Sequence, residues 1–493
     1  MSRRTYVRSL GYTWGTRRWP VERDETKTYI CIDLKTFYAS VECADRGLDP
    51  FTTNLVVADP TRGESTICLA VTPAMKALGV RNRCRVFDIP HDIPYIMAKP
   101  RMRHYMEVSA NIYGIYLRYV SPQDIHPYSI DECFIDATPY LKLYGTDARS
   151  FAKRLMEAVR KETAICATAG IGTNLFLAKV ALDITAKHVP DNIGELDEES
   201  FRRQIWRHRP ITDIWGIGPG IAARLAAHGV YDLMGVAALN EDVLYDELGV
   251  NAEYLIDHAF GREPVTIAEI QAYRPTETSY VNGQVLPRDY RYEDAHIVLK
   301  EMVDASVLEL VDRQQVCDHI SLYVGYGHGA AADWSAESPG ERGFGGGARG
   351  HAARTETGTT RLSAAPSYIV GEHGTRRAGG RGGAHGGGSR KLAVRTNSLR
   401  KLMEEFDRLW SETVDARRTI RRINVGLGNL LPEDFATCDL FTDQEAEGRE
   451  RDLQRAVLAV KDKFGKNALI RGVSLRDKAT GRERNEQVGG HHA

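Results

Sequence analysis

Three carboxylates near predicted strand ends are the residues of this chain best suited to chemistry. Asp131 and Glu132 adjoin in Ser129-Ile-Asp-Glu132, inside the segment His126-Pro-Tyr-Ser-Ile-Asp-Glu-Cys-Phe-Ile-Asp-Ala-Thr138. β-formers flank the acidic pair, which predicts a hairpin with its carboxylates at the turn. Asp33 follows the apolar run Tyr29-Ile-Cys-Ile32, a second predicted strand. Three carboxylates at strand ends can hold two divalent ions about 4 Å apart, an arrangement that transfers phosphoryl groups. Mg²⁺ suits the task, because it takes oxygen ligands and leaves positions for substrate phosphates. Taken alone, Ser-Ile-Asp-Glu is an ordinary turn; Asp33 on its own apolar strand gives it chemical meaning.

The elements around these residues predict an α+β fold. Residues 29–195 alternate strand-like and helix-like segments. Met102 to Tyr119 reads as a helix whose residues Met102, Met106, Ile112, Tyr113 and Tyr116 favour one side, placed to brace the catalytic strands. Phe151 to Val159 reads as a short helix and Ala164 to Gly172 as a strand. The mixture argues for an antiparallel or mixed sheet with helices on one face. Residues 196–265 read as short helices with Gly at the turns. Then come a strand (280–286), a helix (292–311), a strand (318–325), a helix (396–413) and a strand (420–427).

Gly327 to Ser389 is dominated by Gly, Ala, Ser and Arg, a composition that cannot bury enough apolar surface to order itself. It reads as a long insertion in a hairpin connection, its arginines either touching nucleic acid or simply solvated. Gln444 to Phe464 reads as a helix with Leu453, Val457, Val460 and Phe464 along one stripe. Residues 1–28 read as a flexible arm, and the ending Gly489-Gly-His-His-Ala493 as a disordered tail rather than a metal site.

The totals exclude some classes and leave others open. At 493 residues several domains are expected. Hydrophobic content of 42% and charged content of 27% are those of a globular protein. Net charge is −1, yet Arg376 to Arg422 holds 13 Lys/Arg against 5 Asp/Glu, a local excess of +8 suited to a phosphate backbone. The eight cysteines form no Cys-x-x-Cys, so neither a zinc site nor a disulfide framework is expected, and reduced thiols in a cytoplasm are the simple reading. No apolar run reaches the roughly 20 residues of a membrane span, and the basic start has no apolar core of a secretory signal.

Four motifs in order resemble the Y-family DNA polymerases, which copy past damaged template bases. Asp33-Leu-Lys-Thr-Phe-Tyr-Ala-Ser-Val-Glu42 resembles the first catalytic motif and Tyr128-Ser-Ile-Asp-Glu-Cys-Phe134 the second. Gly170-Ile-Gly-Thr-Asn-Leu-Phe-Leu-Ala-Lys179 resembles the palm motif, and Trp215-Gly-Ile-Gly-Pro-Gly220 the thumb hairpin. The likeness covers residues 29 to about 270, extends less specifically over 275–325 and 390–430, and within the family is nearest the UmuC-like, UV-damage-repair branch of bacteria.

The resemblance implies a right-hand polymerase: palm and fingers over 29–195 (fingers about 44–103), and a helical thumb with a helix–hairpin–helix over 196–270. A separate α/β DNA-binding domain follows over 275–430, then a clamp-motif loop, helix and tail over 431–493. It implies that Asp33, Asp131 and Glu132, with the Leu34 carbonyl, hold two Mg²⁺ ions. Tyr38 takes the steric-gate position under the incoming sugar, with Phe37 beside it as the other candidate. Lys179 and Lys76 would contact the triphosphate; a surface lysine is the alternative for Lys179. Pro73 stands where many relatives have a tyrosine of the nucleotide clamp, a tyrosine that UmuC-like relatives also lack. Gly216, Gly218 and Gly220 would let backbone N–H groups approach a DNA phosphate.

Thr437-Cys-Asp-Leu-Phe441 resembles the motif that docks on a sliding clamp, with Leu440 and Phe441 as anchors and Thr437 in place of the usual glutamine; an amphipathic turn is the competing reading. Implied partners are primer–template DNA, deoxynucleoside triphosphates, the clamp and an accessory protein of the damage (SOS) response. No segment resembles a proofreading exonuclease, so low fidelity is expected. A nucleotide cyclase on a palm fold and a non-catalytic DNA-binding scaffold are the alternatives. The thumb hairpin and Tyr38 argue against the first, and the retained carboxylates against the second.

Overall fold

A computed structural model describes residues 27–274, 278–330, 385–438, 443–488 and 491–492. Most of the N-terminal arm, the middle of the Gly-rich insertion, and the proposed clamp anchors Leu440 and Phe441 lie outside these residues. The chain divides into two compact units: residues 1–275 with 487–493, and residues 276–486.

The first unit is built on a five-stranded mixed sheet in the order β5-β6-β1-β7-β8. Its strands are β1 (Tyr29–Leu34), β5 (Ile125–Pro127), β6 (Glu132–Asp136), β7 (Ala167–Gly172) and β8 (Ile193–Leu196). The central β1 is antiparallel to both β6 and β7, and β7 runs parallel to β8. Helices cover both faces of this sheet, not one. Ile30, Ile32, Ile135 and Ile171 pack with Tyr105, Ile112 and Tyr116 of one helix and Phe151, Leu155 and Val159 of another. On the opposite face Tyr29, Cys31 and Phe134 pack against Leu175, Ala178 and Leu182.

That second covering depends on glycine. A Cβ at Gly170 would lie 2.1 Å from the Ala178 carbonyl, and one at Gly172 2.2 Å from the Ala178 amide. The spacing Gly170-Ile-Gly172 was the sequence signal for a helix packed backbone-close on the strand.

The helices of this unit, in chain order, are α1 (Phe37–Asp45), α2 (Pro73–Ala77), α3 (Met102–Tyr116), α4 (Thr138–Tyr144), α5 (Ala148–Thr163) and α6 (Leu175–Asp183). The α3 stripe is rotated from the expected one. Met106 is 50% exposed and Tyr105 is fully buried, because the face runs through 102, 105, 112 and 116. Ser109 fills the gap in that face and uses its hydroxyl, donating to the Ile130 carbonyl at 2.6 Å.

A three-stranded sheet, β3-β2-β4 (β2 Leu55–Val57, β3 Ala70–Val71, β4 Ile96–Ala98), forms a smaller lobe with its own core of Val56, Cys68, Val71, Met75, Val80, Val86 and Ile89. Short helices α7 (Glu198–Gln204), α8 (Pro219–Ala227), α9 (Leu233–Ala238), α10 (Glu241–Leu248) and α11 (Ala252–Ala259) share a third core, and α12 (Ile267–Ala272) closes the unit.

The second unit is built on an antiparallel sheet whose four long strands run in the order β11-β10-β12-β9, with Leu431 and Pro432 pairing beside the start of β10. Its elements are β9 (Ser279–Tyr290), α13 (Tyr292–Asp312), β10 (Gln315–Ala330), β11 (His385–Thr396), α14 (Leu399–Thr413) and β12 (Arg418–Gly428). Both helices cover one face, through Val298, Met302, Phe406 and Trp410 against Ile320, Leu322, Ile423 and Val425.

Strand β11 was not anticipated, since its opening residues, His385-Gly-Gly-Gly388, fall in the stretch that composition assigned to the insertion. These glycines pair with Val324, Tyr323 and Leu322. Gly387 has φ +104°, and a Cβ there would meet the Leu322 carbonyl at 2.1 Å. The insertion therefore sits between two paired strands and is narrower than its composition implied.

Helix α15 (Gln444–Phe464) differs from expectation too, for Leu453 and Phe464 are 62% and 66% exposed. It docks by charge instead. Glu447 pairs with Lys401 at 2.5 Å, Glu450 accepts from Ser398, and Arg451 and Arg455 reach Glu433. The backbone of His491 and His492 pairs with Val488 and Gln487, where a tail without structure was expected.

Candidate active site

The register of β1 and β6 builds the site. Asp33 lies directly opposite Glu132, so both side chains leave the same face of the sheet. Asp131 ends the tight turn between β5 and β6. The Tyr128 and Ser129 amides donate to the Glu132 carbonyl, and the Leu34 amide donates to the Asp131 carbonyl at 2.8 Å. One backbone bond thus joins the two acidic segments, with Leu34 itself buried.

Burial and crowding act on these carboxyls. Asp33 is pushed up to about 8, first by desolvation and then by the charges of Asp131 and Glu132, against the opposing pull of Lys179. Burial raises Glu132 as well, opposed by Lys179.

Lys179 is not a surface lysine. It projects from α6, is 7% exposed, and donates to Glu132 at 2.8 Å and to Asp183 at 3.2 Å. Its two partners hold its ammonium well above the usual lysine range despite burial. Asp183 is a site residue that the motifs did not indicate; its signal was the Lys179–Asp183 spacing of four on a helix. Cys31 is a second such residue, donating its thiol to the other Glu132 oxygen at 3.1 Å.

As placed, the acidic side chains do not converge on one point. Among the described residues no group of three or more His, Cys, Asp or Glu side chains is arranged to hold a metal ion. The reason is local: Glu132 is held by Lys179 and Cys31, while Asp131 accepts from Ser129 Oγ at 2.7 Å. The donor chemistry nonetheless suits Mg²⁺, being all oxygen. The charges of Asp131 and Glu132, which add to burial in raising Asp33, are what a divalent cation would offset.

Beyond Asp33 the chain must turn from strand into helix, and it does so at Thr36, whose φ is +47°. A β-branched residue in this region costs about 1–3 kcal/mol and persists only where its surroundings impose it. The Lys35 amide bonds to the Cys166 carbonyl, and Ser40 Oγ donates to the Lys35 carbonyl at 2.6 Å. The turn sends the next two side chains apart. Phe37 is 2% exposed, in the core. Tyr38 is half-buried, its ring stacked on Tyr105 and its hydroxyl within reach of the charges of Asp131 and Arg83.

Lys76 is exposed on α2, its ammonium close enough to feel Asp33, Lys187 and Lys35. Gly216 has φ +86°, and Gly218 caps α8. Added Cβ atoms at Gly216, Gly218 and Gly220 would meet nothing within 4 Å, so this hairpin faces open space. The neighbouring Trp215 donates to the Tyr128 hydroxyl at 3.0 Å, tying this glycine-rich segment to the turn before β6.

Several basic residues of the second unit are engaged in ion pairs. Arg390 pairs with Glu405 and Glu412, Arg395 with Asp318, and Arg400 with Glu404. Ile320, Leu322 and Val324 point into the core, so Tyr323 and Ser321 stand on the uncovered sheet face with Arg422, Asn424 and the exposed Lys391.

Acidic residues at the ends of the two central strands of a mixed sheet, a small β lobe, a helical lobe and a separate helix-covered sheet define a Y-family DNA polymerase. The chain belongs to the impB/mucB/samB family, whose model matches residues 32–183 and whose C-terminal domain model matches residues 277–440.

Among its relatives, UvrX of Bacillus subtilis (strain 168), a protein named for UV-damage repair, is 27% identical over 470 residues, covering 94% of this chain and 97% of the relative. DNA polymerase IV 2 of the same organism is 29% identical over 480 residues, covering 94% and 99%. The fold is similar to that of a solved Y-family DNA polymerase chimera, Dbh-Dpo4(243-245)-Dbh. The TM-score is 0.55 at 18% identity, over 82% of this chain and 99% of the other. No helix among the described residues is long and apolar enough to cross a membrane.

Proposed function

We propose that this protein is a DNA-directed DNA polymerase that inserts nucleotides opposite damaged template bases with low fidelity, in the cytoplasm and as part of the damage (SOS) response. The observation that carries this reading is the pairing of Asp33 with Glu132 across β1 and β6, with Asp131 in the adjoining turn. The names of its relatives, a UV-damage repair protein and a DNA polymerase IV, support it.

Asp33, Asp131, Glu132 and the Leu34 carbonyl would hold two Mg²⁺ ions. Such ions supply a more acidic primer 3′-hydroxyl and neutralise the triphosphate and leaving pyrophosphate. Lys179 offsets the buried charge of Glu132 and stands as a point charge for the triphosphate. Lys76 meets the phosphates from α2. Tyr38 lies under the incoming sugar and excludes a 2′-hydroxyl. Backbone amides beside Gly216, Gly218 and Gly220 would take a DNA phosphate without reading sequence, and the uncovered face carrying Tyr323, Arg422 and Lys391 would take the duplex backbone. Leu440 and Phe441 would dock on a sliding clamp, and an accessory protein of the damage response would be a further partner.

Primer extension tests the reading. Asp131→Ala and Glu132→Ala should each abolish nucleotide addition in Mg²⁺ while leaving primer–template binding largely intact. Extension by either variant near the wild-type rate would show that these carboxylates are not the catalytic set. A wild-type protein that binds DNA but extends nothing would favour the scaffold.

A further inference from the structure

Tyr38 and Glu42 are four residues apart on α1, so their side chains share one face of the helix. Tyr105 of α3 meets both. Its ring stacks on that of Tyr38, with centroids 4.7 Å apart and planes inclined by 23°. Its hydroxyl donates to Glu42 Oε1 at 2.7 Å.

Glu42 has no exposed surface and is fully engaged. Arg101 Nε donates to the same oxygen at 2.8 Å, and Arg46 pairs with the other. Burial alone would raise this carboxyl; bonds from Arg101, Tyr105 and Arg46 outweigh it and hold the group below its usual range. Tyr105 is itself fully buried, with its hydroxyl driven well up by burial and by Glu42, so it remains a donor. A buried Tyr–Glu–Arg network between two helices is ordinarily just packing. Here the tethered ring lies against a half-exposed residue of the site.

We propose that Tyr105 is a positioning residue for sugar discrimination, fixing the plane of the Tyr38 ring because its own ring is tied to Glu42. The inference rests on the reading of Tyr38 as the sugar contact. A tyrosine ring pivots about two torsions. It can exclude one hydroxyl only if a supporting residue holds it within about 0.5 Å. Phe37 cannot supply that support, since its ring is tilted by 47° at 5.8 Å.

The test is single-nucleotide insertion of a ribonucleotide and its deoxy counterpart opposite one template base, by wild type, Tyr38→Ala, Tyr105→Leu and Tyr105→Phe. Tyr38→Ala should lose most of the discrimination. Tyr105→Leu removes the stack and should raise the ribo-to-deoxy ratio by about tenfold, the upper end of what an aromatic pair contributes. Tyr105→Phe keeps the ring but unties it, and should raise the ratio by about threefold. The ratio compares two substrates on one enzyme, so a general loss of stability does not move it.

An unchanged ratio in both Tyr105 variants, with discrimination lost in Tyr38→Ala, would overturn the role of Tyr105 and leave that of Tyr38. An unchanged ratio in Tyr38→Ala would overturn both. Should Tyr105→Leu fail to fold, Tyr105→Phe decides alone, and a wild-type ratio there refutes the inference.

Discussion

Asp33→Asn should stabilise the metal-free protein at neutral pH while stopping nucleotide addition. The folded state holds the Asp33 carboxyl at about 8, chiefly through burial and then through the charges of Asp131 and Glu132. In the unfolded chain it titrates near its ordinary value, about 3.9. Between these two values the folded state keeps a proton that the unfolded state has released. Stability therefore falls as pH rises, by about 1.4 kcal/mol per pH unit for one group.

Asparagine has no such proton. The advantage of Asp33→Asn over wild type should then grow by about 3 kcal/mol between pH 5 and pH 7, and level off above about pH 8. The assay is urea unfolding of the full chain in a chelator at pH 5, 6, 7 and 8, followed by hydrogen exchange in peptides covering β1 and β7. That readout isolates the first unit. Parallel stability curves for the two proteins would refute the argument, for they would mean that Asp33 is ionised in the folded state well below pH 7. Full loss of primer extension by the same variant would complete the trade between stability and function.

Further outcomes follow from the same geometry. Lys179→Ala leaves Glu132 buried without its cation, both side chains being 9% exposed, and should cost about 3–5 kcal/mol in thermal or urea unfolding; a loss below about 1 kcal/mol would mean that water reaches the pair. Gly387→Ala places a Cβ 2.1 Å from the Leu322 carbonyl at φ +104°, so it should open the β10–β11 pairing and raise hydrogen exchange there, with wild-type protection as the contrary result. Replacing residues 331–384 by a short Gly/Ser turn should leave folding and basal extension unchanged, because β10 and β11 already pair from Cys317 to Gly325; insoluble or inactive protein would show that the insertion is structural.

What the sequence determined by itself is the local chemistry. Continuous apolar runs before Asp33 and after Asp131-Glu132 specify two strands with carboxylates at their ends, because a strand covered on both faces and a tight turn each leave a short-range pattern. The order of the four motifs carried the family, and thereby the fold class. Helical stretches such as Tyr292–Asp312 were legible for the same reason.

Tertiary structure decided what depends on neighbours distant in the chain. Composition made Gly386-Gly-Gly388 look like linker, whereas pairing with β10 makes it strand, since backbone hydrogen bonds need no side chain. Local count gave residues 376–422 a strong positive excess with the α14 glutamates already included, whereas only packing brings Asp318 and Glu447 from outside that stretch onto Arg395 and Lys401. Helical periodicity could not choose between Tyr105 and Met106, one residue apart on α3. The tethers that Glu42 and Tyr38 offer from another helix settled the choice for Tyr105. The capture of Glu132 by Lys179, 47 residues away, is a contact that only packing α6 onto Gly170 and Gly172 could create.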